Sequence, residues 1–363
     1  MKIKRLLVNG MVSPVGIGSD RPVFSFDTDT ETGIFGVDVW EEDTNRTVAE
    51  CTVNAEMRKQ FHFLKPFREG TCYGWSVTDG ECREVSRFET GMLPNAPFIG
   101  TEDSAETLPL FTRTFFADTH CQKARLYLTC VGLYRAFLNG ERVGRQYLTG
   151  NDGDAETLFT QTYDVTDLIW YGAENEIRVV LCGENACFSA RLLMTDGTGG
   201  RRSVCTDPAW RVSESGVVCD PQHIYESWVG NLREQKGFAC LKSAPSAVPI
   251  SNGDHPSFVP KKIHFPIRVS DSESVDGLIF DFGRTVNGTV RIRGSLPCGC
   301  RFDAVCAETK DFSSPSGTFS VVSDGLARMW EPLFFCVRFR YVCVTVSGGK
   351  EDITAEAVEL KKG

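Results

Sequence analysis

Apolar and polar residues alternate along most of this chain, in short runs punctuated by Gly, Pro, Asn and Asp. Pro22-Val-Phe-Ser-Phe26, Ala124-Arg-Leu-Tyr-Leu-Thr129, Glu176-Ile-Arg-Val-Val-Leu181 and Arg340-Tyr-Val-Cys-Val-Thr-Val346 are typical. Runs of this kind, rich in β-branched and aromatic residues, predict strands with one buried face. Asn-Gly recurs at Asn9-Gly10, Asn139-Gly140 and Asn287-Gly288. Between strands this dipeptide supplies the positive-φ residues of a type I′ hairpin. Leu138-Asn139-Gly140-Glu141 is the clearest such turn. No segment sustains an apolar stripe at helical period over several turns. A single short helix is expected over Asp164-Val-Thr-Asp-Leu-Ile-Trp170, capped by Asp164 or Thr166 and stopped at Gly172. The pattern predicts an all-β protein.

Two stretches rich in linker residues divide the pattern. They are Gly91-Met-Leu-Pro-Asn-Ala-Pro-Phe-Ile-Gly100 and Ser243-Ala-Pro-Ser-Ala-Val-Pro-Ile-Ser-Asn-Gly-Asp-His-Pro256. Three modules result, at residues 1–95, 105–243 and 257–363. A length of 363 residues with 41% hydrophobic and 24% charged residues suits several packed cores.

A net charge of −9 and the absence of any Lys/Arg-rich run argue against a nucleic-acid partner. No run has transmembrane length, so no membrane partner is expected. The apolar stretch in Met1-Lys-Ile-Lys-Arg-Leu-Leu-Val-Asn-Gly10 is too short for a signal peptide. With 15 cysteines, an odd number, the expectation is a reduced, cytoplasmic protein whose thiols act as small buried hydrophobes. Cys298-Gly-Cys300 and Cys182 with Cys187 are the closest pairs, and neither builds a zinc frame.

Candidate chemistry is thin. Glycoside hydrolysis needs two carboxyl groups across a sugar cleft, and 48 acidic residues cannot be sorted into such a pair by sequence. Glu41-Glu42-Asp43 and Asp152-Gly-Asp154 read as loop carboxylates. Asn151-Asp152-Gly153-Asp154 also has the close oxygen spacing of a calcium loop, without the EF-hand frame, making Asp152 and Asp154 candidate metal ligands. Asp281-Phe282-Gly283 is the kinase metal-binding tripeptide, but no kinase partner motifs accompany it, and it reads as a strand end. No nucleophile elbow, His-Glu-x-x-His or phosphate loop is present. The six tryptophans could each stack on a sugar, though most suit sandwich cores.

Taken in order, the motifs resemble the N-terminal half of bacterial α-L-rhamnosidases. Tyr73-Gly-Trp-Ser-Val77 and Phe88-Glu-Thr-Gly91 look like the end of that family's fibronectin type III-like domain. Several segments follow the order of its N-terminal jelly roll, a galactose-binding-like domain. These are Phe111-Thr-Arg-Thr-Phe115, Ala124-Arg-Leu-Tyr127, Gly132-Leu-Tyr134, Leu138-Asn-Gly140, Val143-Gly144, Tyr163-Asp-Val-Thr166 and Gly172-Ala-Glu-Asn175. Phe280-Asp-Phe-Gly283, Asn287-Gly288, Ala307-Glu308, Trp330-Glu-Pro332 and Phe339-Arg-Tyr-Val342 resemble its concanavalin-like sandwich. The chain departs from the family at Gly183-Glu-Asn-Ala-Cys187, at Asn231 in Ser227-Trp-Val-Gly-Asn-Leu-Arg233, and at Arg284, Val337 and Arg338.

The resemblance implies three β-sandwiches that position a helical (α/α)6 catalytic barrel, for which no segment of this sequence is expected to provide the helices. It implies an accessory role in hydrolysing terminal α-L-rhamnosides, with a rhamnose-containing glycan and a separate catalytic half as partners. No catalytic residue is assigned, and a carboxylate pair assembled between modules is the enzymatic alternative. If the chain is instead a free-standing carbohydrate-binding protein, Asp152, Asp154, Asn231, Arg233 and Glu234 would hold the sugar, with calcium as possible cofactor and Trp228 stacking on a sugar face. A structural or subunit-interaction role is the other alternative, with Leu333-Phe-Phe-Cys-Val337 lining the interface.

Overall fold

The computed structural model describes residues 3–18, 21–56, 58, 60–102, 106–118, 120–151, 158–220, 224–229, 235–243, 250–252, 258–273, 275–326, 328–347 and 353–362. Strands dominate, and the described residues contain no α-helix. Accordingly none of them forms a helix long and apolar enough to cross a membrane. The segment expected to be helical makes only one 3₁₀ turn at Thr166–Leu168. Asp164 Oδ1 accepts from the Thr166 backbone N–H (3.1 Å) and hydroxyl (2.6 Å), and Gly172 ends the segment at φ +64°.

Alternation places the side chains. Ile34–Glu41 buries Phe35, Val37 and Val39 and turns the residues between them toward the surface. This strand belongs to a sheet ordered Val15–Ile17, Arg83–Thr90, Cys72–Thr78, Ile34–Glu41 and Arg46–Asn54. Opposite it, Ile3–Val8 pairs with Phe24–Thr28. The core between them is aromatic: Phe24 has the rings of Phe61, Phe63, Phe67, Trp75 and Phe88 within 5.0–6.0 Å, mostly edge to face.

The second core forms around two long antiparallel strands, Cys121–Leu138 and Ala173–Asp196. Their register slips between Val131 and Leu133, where Gly132 sits at φ +87°. A Cβ there would lie 2.7 Å from the Cys182 carbonyl oxygen, so the bulge admits only glycine. Pro109–Ala117 flanks this pair on one side and Leu158–Asp164 on the other. The third core lies within a sheet whose centre is Arg301–Ala307, Val337–Val346, Gly277–Gly294 and Thr354–Lys362.

Sheet membership does not follow chain order. Arg211–Glu214 and Gln235–Phe238 pair with each other in the second sheet. Between them the hairpin Val217–Asp220 and Tyr225–Trp228 crosses to the third sheet, where Tyr225–Trp228 runs parallel to Pro315–Val322. Ile250–Asn252, within the second linker-like stretch, adds in parallel to Leu158–Asp164. Phe98–Gly100, at the end of the first, pairs with Cys240–Lys242. The second and third sandwiches are thus laced together by backbone hydrogen bonds, not joined by a free tether.

The three Asn-Gly dipeptides part company. Asn9-Gly10 (φ +50°, +75°) and Asn139-Gly140 (φ +54°, +84°) make the expected turns, with Leu138 paired to Glu141. Asn287-Gly288 lies inside the continuous strand Gly277–Gly294 and makes no hairpin. Glycine is required at 288 for a different reason: a Cβ would fall 1.9 Å from the Val358 carbonyl oxygen of the adjacent strand. Asp281-Phe-Gly283 also lies within this strand, at a register shift, and Asp281 accepts from the Gly283 N–H and pairs with Arg340.

Candidate functional site

Of the residues the sequence singled out for sugar or metal binding, Asp152, Asp154, Asn231, Arg233 and Glu234 lie outside the described residues. Trp228 is described, and its position is informative. Its strand, Tyr225–Trp228, is part of the hairpin that crosses from second to third sandwich. Strand alternation puts Glu226 and Trp228 on one face. The indole Nε1–H donates to Glu226 Oε1 at 2.8 Å. Glu226 is only 1% exposed, and its carboxylate also accepts the backbone N–H groups of Leu333 (2.7 Å) and Phe334 (2.8 Å). Burial pushes the Glu226 carboxyl above the usual carboxylate range, against the pull of these three hydrogen bonds and the nearby Arg135.

Trp228 borders a cleft of about 250 Å³ between the second and third sandwiches. Leu110 and Val180 of the second sheet and Val217, Val321 and Trp330 of the third line it, with Leu333. Arg178, Asp324 and Arg328 supply its charged groups. Arg328 is tied to Asp324 by two hydrogen bonds, and Arg178 pairs with Glu176. Asp324 is the single carboxylate among the described lining residues.

Below the cleft the joint is polar and buried. Arg135, 4% exposed, donates to the carbonyls of Gln146 (3.1 Å) and Leu333 (2.6 Å). Burial, with Arg142 nearby, pulls its guanidinium down to about 10. Arg142 and Arg135 both stack over the Tyr147 ring, at 4.1 and 5.2 Å. Glu331 of the third sandwich receives Arg142 at 3.1 Å and also Arg291, which itself reaches the Tyr147 hydroxyl at 3.2 Å. The Leu333-Phe-Phe-Cys-Val337 segment proposed as an external interface is spent here: Leu333 and Phe334 hold Glu226, and Phe335 and Val337 are in the core.

A second buried ionic cluster joins the first sandwich to the second. Arg125 of Cys121–Leu138 donates from Nε to both oxygens of Glu89 (3.1 and 3.0 Å) and from Nη2 to Oε2 (2.9 Å). Lys123 Nζ lies 3.0 Å from Glu89 and 2.9 Å from the Cys72 sulfur. Burial, then the Glu89 charge, pushes the Cys72 thiol up to about 11, so it stays protonated and donates to Glu89 Oε2 at 3.2 Å. Two motifs read as separate in the sequence, Phe88-Glu-Thr-Gly91 and Ala124-Arg-Leu-Tyr127, are the two halves of this joint.

Sequence reasoning missed Glu226, Arg135, Asp324 and Arg328. A signal existed for two of them. Arg135 interrupts the otherwise apolar half of its strand from residue 130 to 138, and Glu226 stands two residues before a tryptophan. All 15 cysteines are unpaired, six of them buried: Cys121, Cys130, Cys182, Cys187, Cys306 and Cys343. Among the described residues no three His, Cys, Asp or Glu side chains gather as a metal site requires.

Residues 119–183 match the model of the α-L-rhamnosidase N-terminal domain. The α-L-rhamnosidase of Streptomyces avermitilis is 27% identical over 272 residues, covering 64% of this chain and 26% of the relative. That of Formosa agariphila is 22% identical, covering 92% of this chain and 44% of the relative. The α-L-rhamnosidase structure from Dictyoglumus thermophilum superposes with a TM-score of 0.85 at 19% identity, over 100% of this chain and 49% of that one. The Streptomyces avermitilis enzyme complexed with L-rhamnose gives 0.77 at 16% identity, over 100% of this chain and 57% of that one. The chain therefore spans less than half the length of the curated relatives it matches. In sequence over most of its length, and in fold throughout, it is similar to the N-terminal half of α-L-rhamnosidases.

Proposed function

We propose that this chain is the accessory β-sandwich region of a glycoside hydrolase acting on terminal α-L-rhamnosides. In this reading it braces and positions a helical catalytic domain that supplies the acid and base. The observation that carries the reading is a pair of ionic joints, the buried Glu89 with Arg125 and the half-buried Glu331 with Arg142 and Arg291. Glu89, Arg125 and Glu331 fall on segments that resemble the family, and the joints tie three sandwiches into one platform. Such motifs serve geometry more than chemistry, as expected of a scaffold beside an active site.

The test is hydrolysis of an aryl α-L-rhamnoside by the purified chain, alone and mixed with a separately expressed C-terminal catalytic half. No turnover alone, with activity or thermal stability gained on mixing, is the expected result. Turnover by the chain alone would overturn the accessory role. An unchanged catalytic half would remove the pairing.

A further inference from the structure

The strand Ala173–Asp196 presents two different faces. Ile177, Val179 and Leu181 point into the core of the second sandwich, whereas Arg178 and Val180 line the cleft toward the third. Cys182 continues the second alternation, so its thiol is directed at the third sandwich and not into the core of its own. The surface it meets is the hairpin that crosses between the sheets. Val217 and Trp228 are cross-strand partners lining the cleft, and Cys219 and Glu226 are the next pair on that face. The two alternations bring the thiols together: the Cys219 S–H donates a hydrogen bond to the Cys182 sulfur, across the joint between the sandwiches.

That bond sets the chemistry of the pair. It draws the Cys182 thiol below the ordinary value, against burial and the nearby Glu226 carboxylate, and together with burial it pushes Cys219 up. Cys182 thereby has the thiolate character that attack on an oxidant requires. It is 3% exposed, but it is the last buried residue before the exposed Gly183, Glu184 and Asn185, and Cys219 is half-buried. The pair therefore lies just beneath the surface. Neighbouring thiols are placed differently. Cys130 is packed in the second core and Cys187 with Phe98 and Leu158, and burial raises both.

We propose that Cys182 and Cys219 form a reversible disulfide that locks the second and third sandwiches to each other. With a peroxide as oxidant, the Cys182 thiolate attacks one peroxide oxygen and the O–O bond breaks. The departing hydroxide collects the proton that Cys182 gave up and leaves as water. The Cys219 sulfur then attacks the sulfur of the Cys182 sulfenic acid; the S–S bond forms, the S–O bond breaks, and the Cys219 proton leaves in a second water. Two thiols lose two electrons, and one peroxide is reduced to two waters. A dithiol reductant reverses the step by exchange. The tie closes the chain from 182 to 219 and pins the hairpin, with Glu226 and Trp228, against the second sandwich. It depends on the joint and not on the accessory role.

The experiment treats the folded full chain with a small excess of hydrogen peroxide, alkylates the remaining thiols and maps peptides by non-reducing mass spectrometry. A Cys182–Cys219 cross-linked peptide is expected, lighter by two hydrogens than its separate halves and lost on adding dithiothreitol. The cross-linked chain melts at a higher temperature than the reduced one, and the reductant removes the gain. In Cys219→Ser a hydroxyl can still donate to Cys182, but no disulfide can close. A dimedone adduct then marks sulfenic acid at Cys182, and peroxide no longer raises the melting temperature. The mapping uses the unmodified chain, so it decides the question even where the variant is destabilised. Cys182 that stays reduced, that is oxidised without bonding to Cys219, or that is recovered with Cys130 or Cys187 overturns the proposal. So does a Cys182–Cys219 cross-link that forms only in urea, since the folded joint then does not make it.

Discussion

Individual side chains in this protein take their meaning from partners far along the chain. Glu226 would pass for a surface carboxylate in Tyr-Glu-Ser-Trp, yet it is buried because Leu333 and Phe334 turn two backbone N–H groups toward it. Glu359 is the opposite case, a carboxylate held in its charged form. Hydrogen bonds from Lys261 (2.6 Å) and His264 (2.7 Å) hold it at about 2, well below the ordinary carboxylate value. A depressed folded-state value contributes stability above the unfolded value near 4.5, which is lost as pH falls toward 2. The bond links Phe258–His264 to Thr354–Lys362 at the edge of the third sheet. Glu359→Gln is therefore expected to lower the melting temperature at pH 7 and to converge with the unmodified chain near pH 2. A melting-temperature difference that persists at pH 2 would show that the pairing is not its source.

At the scale of elements, strand existence was legible in the alternation, but strand context was not. The Asn139-Gly140 hairpin follows local preference, since both residues adopt positive φ, and long-range bonds of Asn139 with Leu168 and Glu176 add to it. The same dipeptide at Asn287-Gly288 is mid-strand, and its glycine answers to the neighbouring strand instead. The two cases predict different costs. Gly10→Ala meets open space and pays only for its positive φ, about 1–2 kcal/mol. Gly288→Ala must push apart Gly277–Gly294 and Thr354–Lys362 and costs about 3 kcal/mol or more. Chemical denaturation of both variants decides this, and equal losses would refute it. The expected helix at 164–170 shrank to one turn because strand ends on either side claim its backbone: Val165 donates to Ala124 and Gly172 to Ala117.

For the whole molecule the joints are decisive. Glu89 is 3% exposed, and Arg125 supplies most of its hydrogen bonds. Arg125→Met preserves side-chain length but leaves a buried carboxylate with Lys123 as its remaining cation. The expected loss is about 3–5 kcal/mol, seen in calorimetry as an earlier, separate transition of the first sandwich. Adding Glu89→Gln removes the orphaned charge and recovers part of the loss. A single variant that melts with the unmodified chain would mean that this ion pair does not hold the sandwiches together.

The sequence by itself determined the all-β class, the positions of most strands, two of the three Asn-Gly turns and the likeness to rhamnosidase N-terminal regions. All of these depend on local periodicity, on φ preference, or on motifs read in order. Only the tertiary structure decided that the hairpin at 217–228 belongs to the third sheet, that Phe88-Glu-Thr-Gly91 meets Ala124-Arg-Leu-Tyr127, and that Trp228 borders a cleft floored by two sandwiches. The physical reason is that a strand's side-chain pattern fixes which face is buried but not which neighbour buries it. Backbone hydrogen bonds are the same with any partner, so partner choice is made by packing and charge pairing between residues as distant as Glu226 and Leu333.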